Sequence, residues 1–301
     1  IEQREQPDLT VFLGDVFDTH AVLRAELLSE WQKYLLKDKR NRIHILGNHE
    51  MYKPNDGKYH ALQTLKKTYS NYIVVDKVCS IGNITFIPYM HFYSDFPMET
   101  KEICVAHQTF IGADYGYTNA NAGVDADKVS ADIIISGHVH KRQQFGKVVY
   151  PGSSFAQGVN DIDQDKGVMM FDTDTYKYRF IESSLPKWRG IKLELNQICG
   201  VDDLTKSIED YVDDVNHWIV DIEGPRAEVN SYLASKQFKK LKKYKKFRVR
   251  PKYTDIDKKI VQIKSVTASD IVIDYINTVY DGAIPKDDIR NKALELLSKV
   301  K

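Results

Sequence analysis

Four short apolar runs in the chain each end in side chains able to hold a metal ion. TVFLGDVFD ends in Asp15 and Asp18, IHILGNHE in Asn48 and His49, ICVAHQ in His107, and IIISGHVH in His138 and His140. Any one of them alone reads as a turn or a hydrogen-bonded polar group; their recurrence is the informative part. The combined donor set is imidazole nitrogen, carboxylate oxygen and one amide oxygen. With no thiolate in it, the set favours a borderline divalent ion such as Mn²⁺, Fe²⁺ or Zn²⁺ over a structural zinc site. The chemistry such mixed sites perform is hydrolysis. Two ions about 3.5–4 Å apart, sharing a carboxylate, lower the pKa of a water and clamp a phosphate for in-line attack. Asp15 is the natural shared carboxylate. His20, His44, His60, His91 and His217 lack such a context and read as ordinary structural histidines.

A sheet can bring residues so far apart in sequence to one point, because ligands gather outside the carboxyl ends of strands in open α/β sheets. Glycine precedes the candidate ligand in three of the four runs, at Gly14, Gly47 and Gly137, which suits a sharp turn beside an ion. The first half alternates strand-like runs (9–13, 43–46, 72–75) with helix-length amphipathic segments (21–36, 58–69), a βα rhythm. Further strand-like runs at 83–88, 103–106, 133–136, 142–145, 147–150, 167–171 and 177–181 are too closely spaced for helical crossovers throughout, so part of the fold must be antiparallel hairpins. After Pro186 a smaller segment reads strand (190–195), helix (202–212), strand (217–222), helix (225–234). From Ser269 onward two short amphipathic helices break at 282–285, with Val272, Ile276 and Val279 on one apolar stripe and Ile289, Ala293, Leu296 and Val300 on the other.

A content of 42% hydrophobic and 28% charged residues in 301 describes a globular chain large enough for a sizeable core in one or two domains. Cys79, Cys104 and Cys199 form no C-x-x-C pair, which excludes a disulfide framework and a zinc cluster and fits a reducing, cytoplasmic setting. No apolar run has the length to span a bilayer. The formal net charge is only +1, so any polyanion-binding signal must be local. One such stretch exists: KQFKKLKKYKKFRVRPK, from Lys236 to Lys252, holds ten Lys or Arg in 17 residues, no acid, and the aromatics Phe238, Tyr244 and Phe247. Basic charge there can follow phosphates and aromatics can stack on bases, with Lys239, Lys240, Lys242, Lys243, Lys245, Lys246 and Arg248 as the contacts. A solvated, mobile charged loop, or a flank facing an acidic partner, is the plainer alternative.

The motifs GD-x-x-D (Gly14–Asp18), GNHE (Gly47–Glu50), the isolated strand-end His107 and GHVH (Gly137–His140) occur in the order seen in calcineurin-like metallophosphoesterases, and the chain resembles that superfamily. Within it, the GD-x-FD form, YPGS at Tyr150–Ser153 and the segments that follow resemble the SbcD-type branch, nuclease subunits of double-strand-break repair complexes, and most of all its phage recombination members. The resemblance is strong to about Glu182 and weak beyond. It implies a four-layer αββα sandwich over residues 1–186, an α+β capping domain over 187–265 that steers DNA, and a helical tail over 266–301. It also implies two divalent ions, with Mn²⁺ favoured and Mg²⁺ as the alternative. Asp15 would bridge them, Asn48, His107 and His138 would hold one ion and His140 the other, while His49, grouped with Asp18 as catalytic, would serve the leaving oxygen. The activity implied is 3′ to 5′ exonuclease and single-strand endonuclease action. The implied partners are DNA and an SbcC-type SMC-like ATPase, bound through the tail stripes by a homodimer within a heterotetramer. One departure stands out: no D-x-H motif precedes Leu9, and Ile1–Asp8 resembles the end of the helix between the family's first two strands, so about 30 further residues are expected ahead of it. A phosphomonoesterase of the same superfamily and a DNA-tethering scaffold are the other function classes open to this sequence.

Overall fold

The computed structural model describes residues 1–18, 23–53, 59–66, 68–195, 201–255, 273, 276 and 285–298. They form two compact units, Ile1–Lys252 and Tyr253–Lys301. The chain runs α1 (Glu2–Glu5), β1 (Leu9–Phe12), α2 (Ala25–Leu36), β2 (Asn41–Ile45), β3 (Tyr72–Val75), β4 (Cys79–Ile81), β5 (Ile84–Ile87), β6 (Ile103–His107), β7 (Ile133–Gly137), β8 (Gln143–Phe145), β9 (Val148–Tyr150), β10 (Gly167–Phe171), β11 (Tyr178–Glu182) and β12 (Trp188–Glu194). It continues with α3 (Val201–Glu209), β13 (His217–Gly224), α4 (Arg226–Ala234), α5 (Lys236–Lys240), β14 (Phe247–Tyr253) and α6 (Lys286–Ser298).

Two sheets form the core of the amino-terminal half. The first is the parallel set β1-β2-β3; the second has the order β4-β5-β6-β7-β9-β8, parallel through β5, β6, β7 and β9 with an antiparallel strand at each edge. Strands β6 and β7 are apolar at successive positions because both of their faces are covered, as in parallel sheets generally. One face of the second sheet meets the first: Ile43, Ile45 and Val75 pack with Phe86, Ile103, Val105, Ile133, Ile135 and Val149, and the β10–β11 hairpin adds Met169, Phe171 and Phe180. Outside the first sheet lies α2, which presents Leu28, Trp31 and Leu35 at helical spacing to Tyr72 and Val74. The other face of the second sheet, carrying Cys104, Ala106, Ile134, Val148 and Tyr150, is covered by Phe96, Phe110, Val124 and Val129 from connecting segments. The sandwich expected from the sequence is therefore present, with loops and single 3₁₀ turns doing the covering on that side among the described residues.

The segment expected as a helix at 58–69 is a succession of turns where described, pinned by a bridge from His60 to Met51. Beyond Pro186, β12 pairs in parallel with β13, β14 joins on the other side of β13, and α4 packs near it. In the second unit the described residues include α6; Ile276 is buried and Ile289 half-buried. Val272, Val279 and Val300, and the side chain of Leu296, lie outside the described residues. No helix among the described residues is long and apolar enough to cross a membrane.

Candidate metal centre

The carboxyl ends of β1 and β2 in one sheet and of β6 and β7 in the other open toward the same point. Asp15 follows β1, Asn48 follows β2, His107 is the last residue of β6 and His138 the first after β7. Their donor atoms converge. His107 Nε2 lies 3.1 Å from Asp15 Oδ2 and 3.2 Å from Asn48 Oδ1. His138 Nδ1 lies 2.9 Å from Asn48 Oδ1 and 3.2 Å from His107 Nε2. Among the described residues, Asp15, His107 and His138 form a group of acidic and histidine side chains close enough to hold one metal ion.

The tautomers follow from the surroundings. His107 Nδ1 faces the Leu13 carbonyl, so it must carry the hydrogen and donate, which leaves Nε2 as the lone-pair nitrogen in the neutral ring. With both rings neutral, lone pairs of Asp15, Asn48, His107 and His138 face one another at these separations, an arrangement that suits a cation. In competition with this, Asp15 and His107 also favour each other's charged forms, with the proton on His107. Burial alone would raise the Asp15 carboxyl, but His107 beside it brings it down to about 2. Burial works against protonating His107, yet Asp15 holds its pKa above the usual value. His138 is pushed down to about 3 by burial and by the neighbouring His107, so it stays neutral and able to ligate. The donor set fits a divalent cation.

Backbone conformation sustains the convergence. Asp15 and His138 are non-glycine residues at φ 55° and 76°, a region that costs of the order of 1–3 kcal/mol unless neighbours enforce it. At Asp15 the enforcement is visible. Glu50 is buried and its carboxylate accepts from the backbone N–H of Asp15 (2.8 Å), Val16 (2.6 Å), Phe17 (3.2 Å) and Gly47 (2.8 Å). Burial raises the Glu50 carboxyl, but His44 beside it leaves it net lowered. Gly14, at φ 89°, and Gly47 lie against each other there; a Cβ on Gly14 would meet the Gly47 nitrogen, and one on Gly47 would run into the Asp15 carboxylate. Glu50 was not singled out by sequence reading, although it closes the GNHE motif and follows the polar ligand by two residues.

The remaining predicted residues fall in three places. His49 sits at the rim, its Nδ1 donating to the Asp18 carbonyl at 2.8 Å while its backbone N–H donates to Asp15 Oδ1 at 2.9 Å. The Asp18 side chain is fully exposed, 3.9 Å from the same imidazole. His140 lies outside the cluster of Asp15, Asn48, His107 and His138 and is exposed; desolvation lowers its imidazole pKa, with Asp161 pulling the other way.

The basic stretch is not a loop but α5, a 3₁₀ turn and β14. Lys239, Lys240, Lys245 and Arg248 are exposed, whereas Lys243 pairs with Glu209 at 2.8 Å and Lys246 Nζ donates to the Val215 carbonyl at 2.9 Å. Arg250, outside the expected contact set, grips Asp221 at 2.6 and 2.9 Å. Phe238 packs on Tyr232 and Phe247, with centroids 5.5 and 6.3 Å away, so two of the three interleaved aromatics serve internal packing rather than base stacking. The side chain of Lys242 lies outside the described residues.

Residues 1–142, which carry every donor just described, match the family model for calcineurin-like phosphoesterases. Over that stretch, a little under half of its length, the chain is similar to calcineurin-like phosphoesterases. Among curated proteins, it is 27% identical over 216 residues to one named "Putative phosphoesterase 244L" from Invertebrate iridescent virus 6, covering 63% of this chain and 74% of that one. It is 24% identical over 207 residues to "Exonuclease subunit 1" of Enterobacteria phage T4, covering 64% of this chain and 61% of the phage protein. The chain thus matches less than two thirds of the length of the T4 relative. The likeness to phosphoesterases and the donor cluster agree with a hydrolase that uses a divalent metal.

Proposed function

We propose that the chain is a metal-dependent DNA nuclease, a phosphodiesterase acting in DNA repair, recombination or replication. The observation that carries the reading is the convergence of Asp15, Asn48, His107 and His138 within a domain whose T4 relative is named an exonuclease subunit. Asp15, Asn48, His107 and His138 would hold one ion, and Asp15 with His140 would contribute to a second; Mn²⁺ suits this nitrogen and oxygen set. Bound ions supply Lewis acidity, which favours ionisation of a water and offsets charge building on the phosphate. His49 has its Nδ1 hydrogen committed to the Asp18 carbonyl, so the ring is oriented to exchange a proton at Nε2 with the leaving oxygen. Asp18, through its main chain and its nearby carboxylate, orients that imidazole. The name "subunit" on the T4 relative supports a partnered enzyme, and an SbcC-type ATPase bound by the 266–301 tail, in a heterotetramer built on a homodimer, is the assembly proposed.

The test uses the complete gene product with Mn²⁺, scored for plasmid nicking and degradation of end-labelled duplex, beside p-nitrophenyl phosphate turnover. DNA cleavage that is lost on chelation, together with a His49→Ala variant that still binds ions but cleaves about 10²- to 10⁴-fold more slowly, is the expected result. Rapid phosphomonoester turnover without DNA cleavage would identify a phosphomonoesterase instead, and DNA binding without either activity a tethering scaffold.

A further inference from the structure

The YPGS turn and the residues after it have no part in the cluster around His107, yet they converge on one atom, the main-chain carbonyl oxygen of His140. Ser153 N–H donates to it at 3.1 Å and Lys166 Nζ at 2.7 Å. Gly152, at φ 77°, lies so close that a Cβ there would stand 2.8 Å from the same oxygen. Lys166 is itself buried, and its ammonium has a partner for each of its three hydrogens: the His140 carbonyl, Asp161 Oδ1 at 2.6 Å and Gln164 Oε1 at 3.0 Å. Asp161 is buried too, its second oxygen accepting from the Gln157 N–H at 2.8 Å. The loop holding this pair is fastened to β12 through Asp163 N–H, which donates to the Trp188 carbonyl at 2.9 Å.

A buried ion pair is a poor stabiliser, because removing two charges from water costs several kcal/mol per ion and an apolar pair of the same volume packs as well. What the pair does provide is direction. A saturated ammonium at a fixed position holds a carbonyl, and with it the φ and ψ that aim the next side chain. The strand end at 138–140 has particular need of this, since His138 sits at positive φ and a ring two residues later must face a different way.

We infer that the buried Lys166–Asp161 pair, with the Tyr150–Ser153 turn, is a positioning device for His140, and that it sets the affinity of the second divalent-cation site without touching the first. The inference rests on the proposed reading of His140 as a ligand of that second ion. Outer residues that orient metal ligands typically carry 10- to 100-fold in affinity.

The experiment is a Mn²⁺ titration of the complete gene product by calorimetry, with electron paramagnetic resonance to separate a coupled Mn²⁺ pair from isolated ions. Asp161→Leu/Lys166→Met removes both charges together, leaving neither buried and unpaired. The first affinity should be unchanged, the second weakened by about 10- to 100-fold, and the coupled-pair signal replaced by that of isolated ions. Two affinities equal to the parent's in this variant would overturn the inference. His140→Ala separates the two levels of argument. If it abolishes the second affinity while the double variant keeps it, the positioning role fails and the ligand reading stands. If His140→Ala also binds two ions as the parent does, the ligand reading fails and the positioning role with it. Should the double variant not fold, Gln164→Leu decides: it removes one of the three ammonium partners and should weaken only the second ion, and unchanged binding there would likewise count against the role.

Discussion

At the residue scale, the converging candidate ligands could be read from sequence because each follows an apolar strand and a glycine or ends the strand outright, so type and position coincide at Asp15, Asn48, His107 and His138. Their support was harder to see. Glu50 looks in sequence like one more charged residue, and only the fold shows four backbone N–H groups aimed at its carboxylate. Those groups belong to the turn that holds Asp15 at positive φ, so the carboxylate shapes the site without touching an ion. Glu50→Gln replaces one acceptor oxygen by an amide NH₂ that can only oppose N–H donors. Circular dichroism should remain that of the parent, while Mn²⁺ affinity falls by about 10- to 100-fold, as for other residues that orient ligands. If the Glu50→Gln variant bound Mn²⁺ like the parent, the packing of Gly14 on Gly47 alone would suffice to hold the turn.

At the element scale, the strands of the two core sheets other than β4 were visible as strand-like runs, and β3 and β10 begin and end where their patterns do. Missed elements lack such a pattern. Strand β4 is exposed at every position, and β14 is hidden inside a run of lysines and arginines that reads as surface charge. The four-residue α1 is too short to stand on helical propensity, and polar contacts hold it. Its Glu2 accepts from Tyr34 of α2 at 2.7 Å and from buried Arg42 of β2 at 3.2 Å, and Arg42 also reaches Asp38 at 2.8 Å. Burial raises the Glu2 carboxyl, but the hydrogen bonds from Thr10, Tyr34 and Arg42 leave it below 4.5, and Asp38 is held below 3.8 by the Arg40 N–H and then Arg42. Both carboxyls therefore bind protons more weakly folded than unfolded. Their contribution is in place above the unfolded values and disappears as pH falls through the folded ones. Urea midpoints measured from about pH 6 down to about pH 3 should drop in the parent and drop less steeply in Arg42→Met. Parallel curves for the two proteins would mean that this network plays no part in acid sensitivity.

At the scale of the whole molecule, a net charge of +1 conceals an uneven surface, and the question is whether the basic stretch holds a polyanion against the proposed phosphodiesterase site. Sequence could count the charges but could not say which are already neutralised, because their acidic partners come from distant elements: Glu209 from α3 for Lys243 and Asp221 from β13 for Arg250. Phosphate contact releases counterions only where a cation is available to replace them, with a slope of about 0.9 per contact on duplex DNA in a plot of log affinity against log salt. Replacing exposed Lys239, Lys240, Lys245 and Arg248 by glutamine together should weaken duplex binding and flatten the slope by as much as about 3.6, four contacts at that value. Replacing Lys243 and Arg250 together should flatten it far less, since each already has a carboxylate within 3 Å. Hydrolysis of a small phosphodiester should be the same in all three proteins, because the donors proposed to hold the ions lie in residues 1–142 and these cations do not. Fluorescence-anisotropy titrations over a range of NaCl concentrations give the slopes directly. If the fourfold variant kept the parent slope, DNA would have to enter by another face, and the charge on α5 and β14 would serve only to keep that surface solvated.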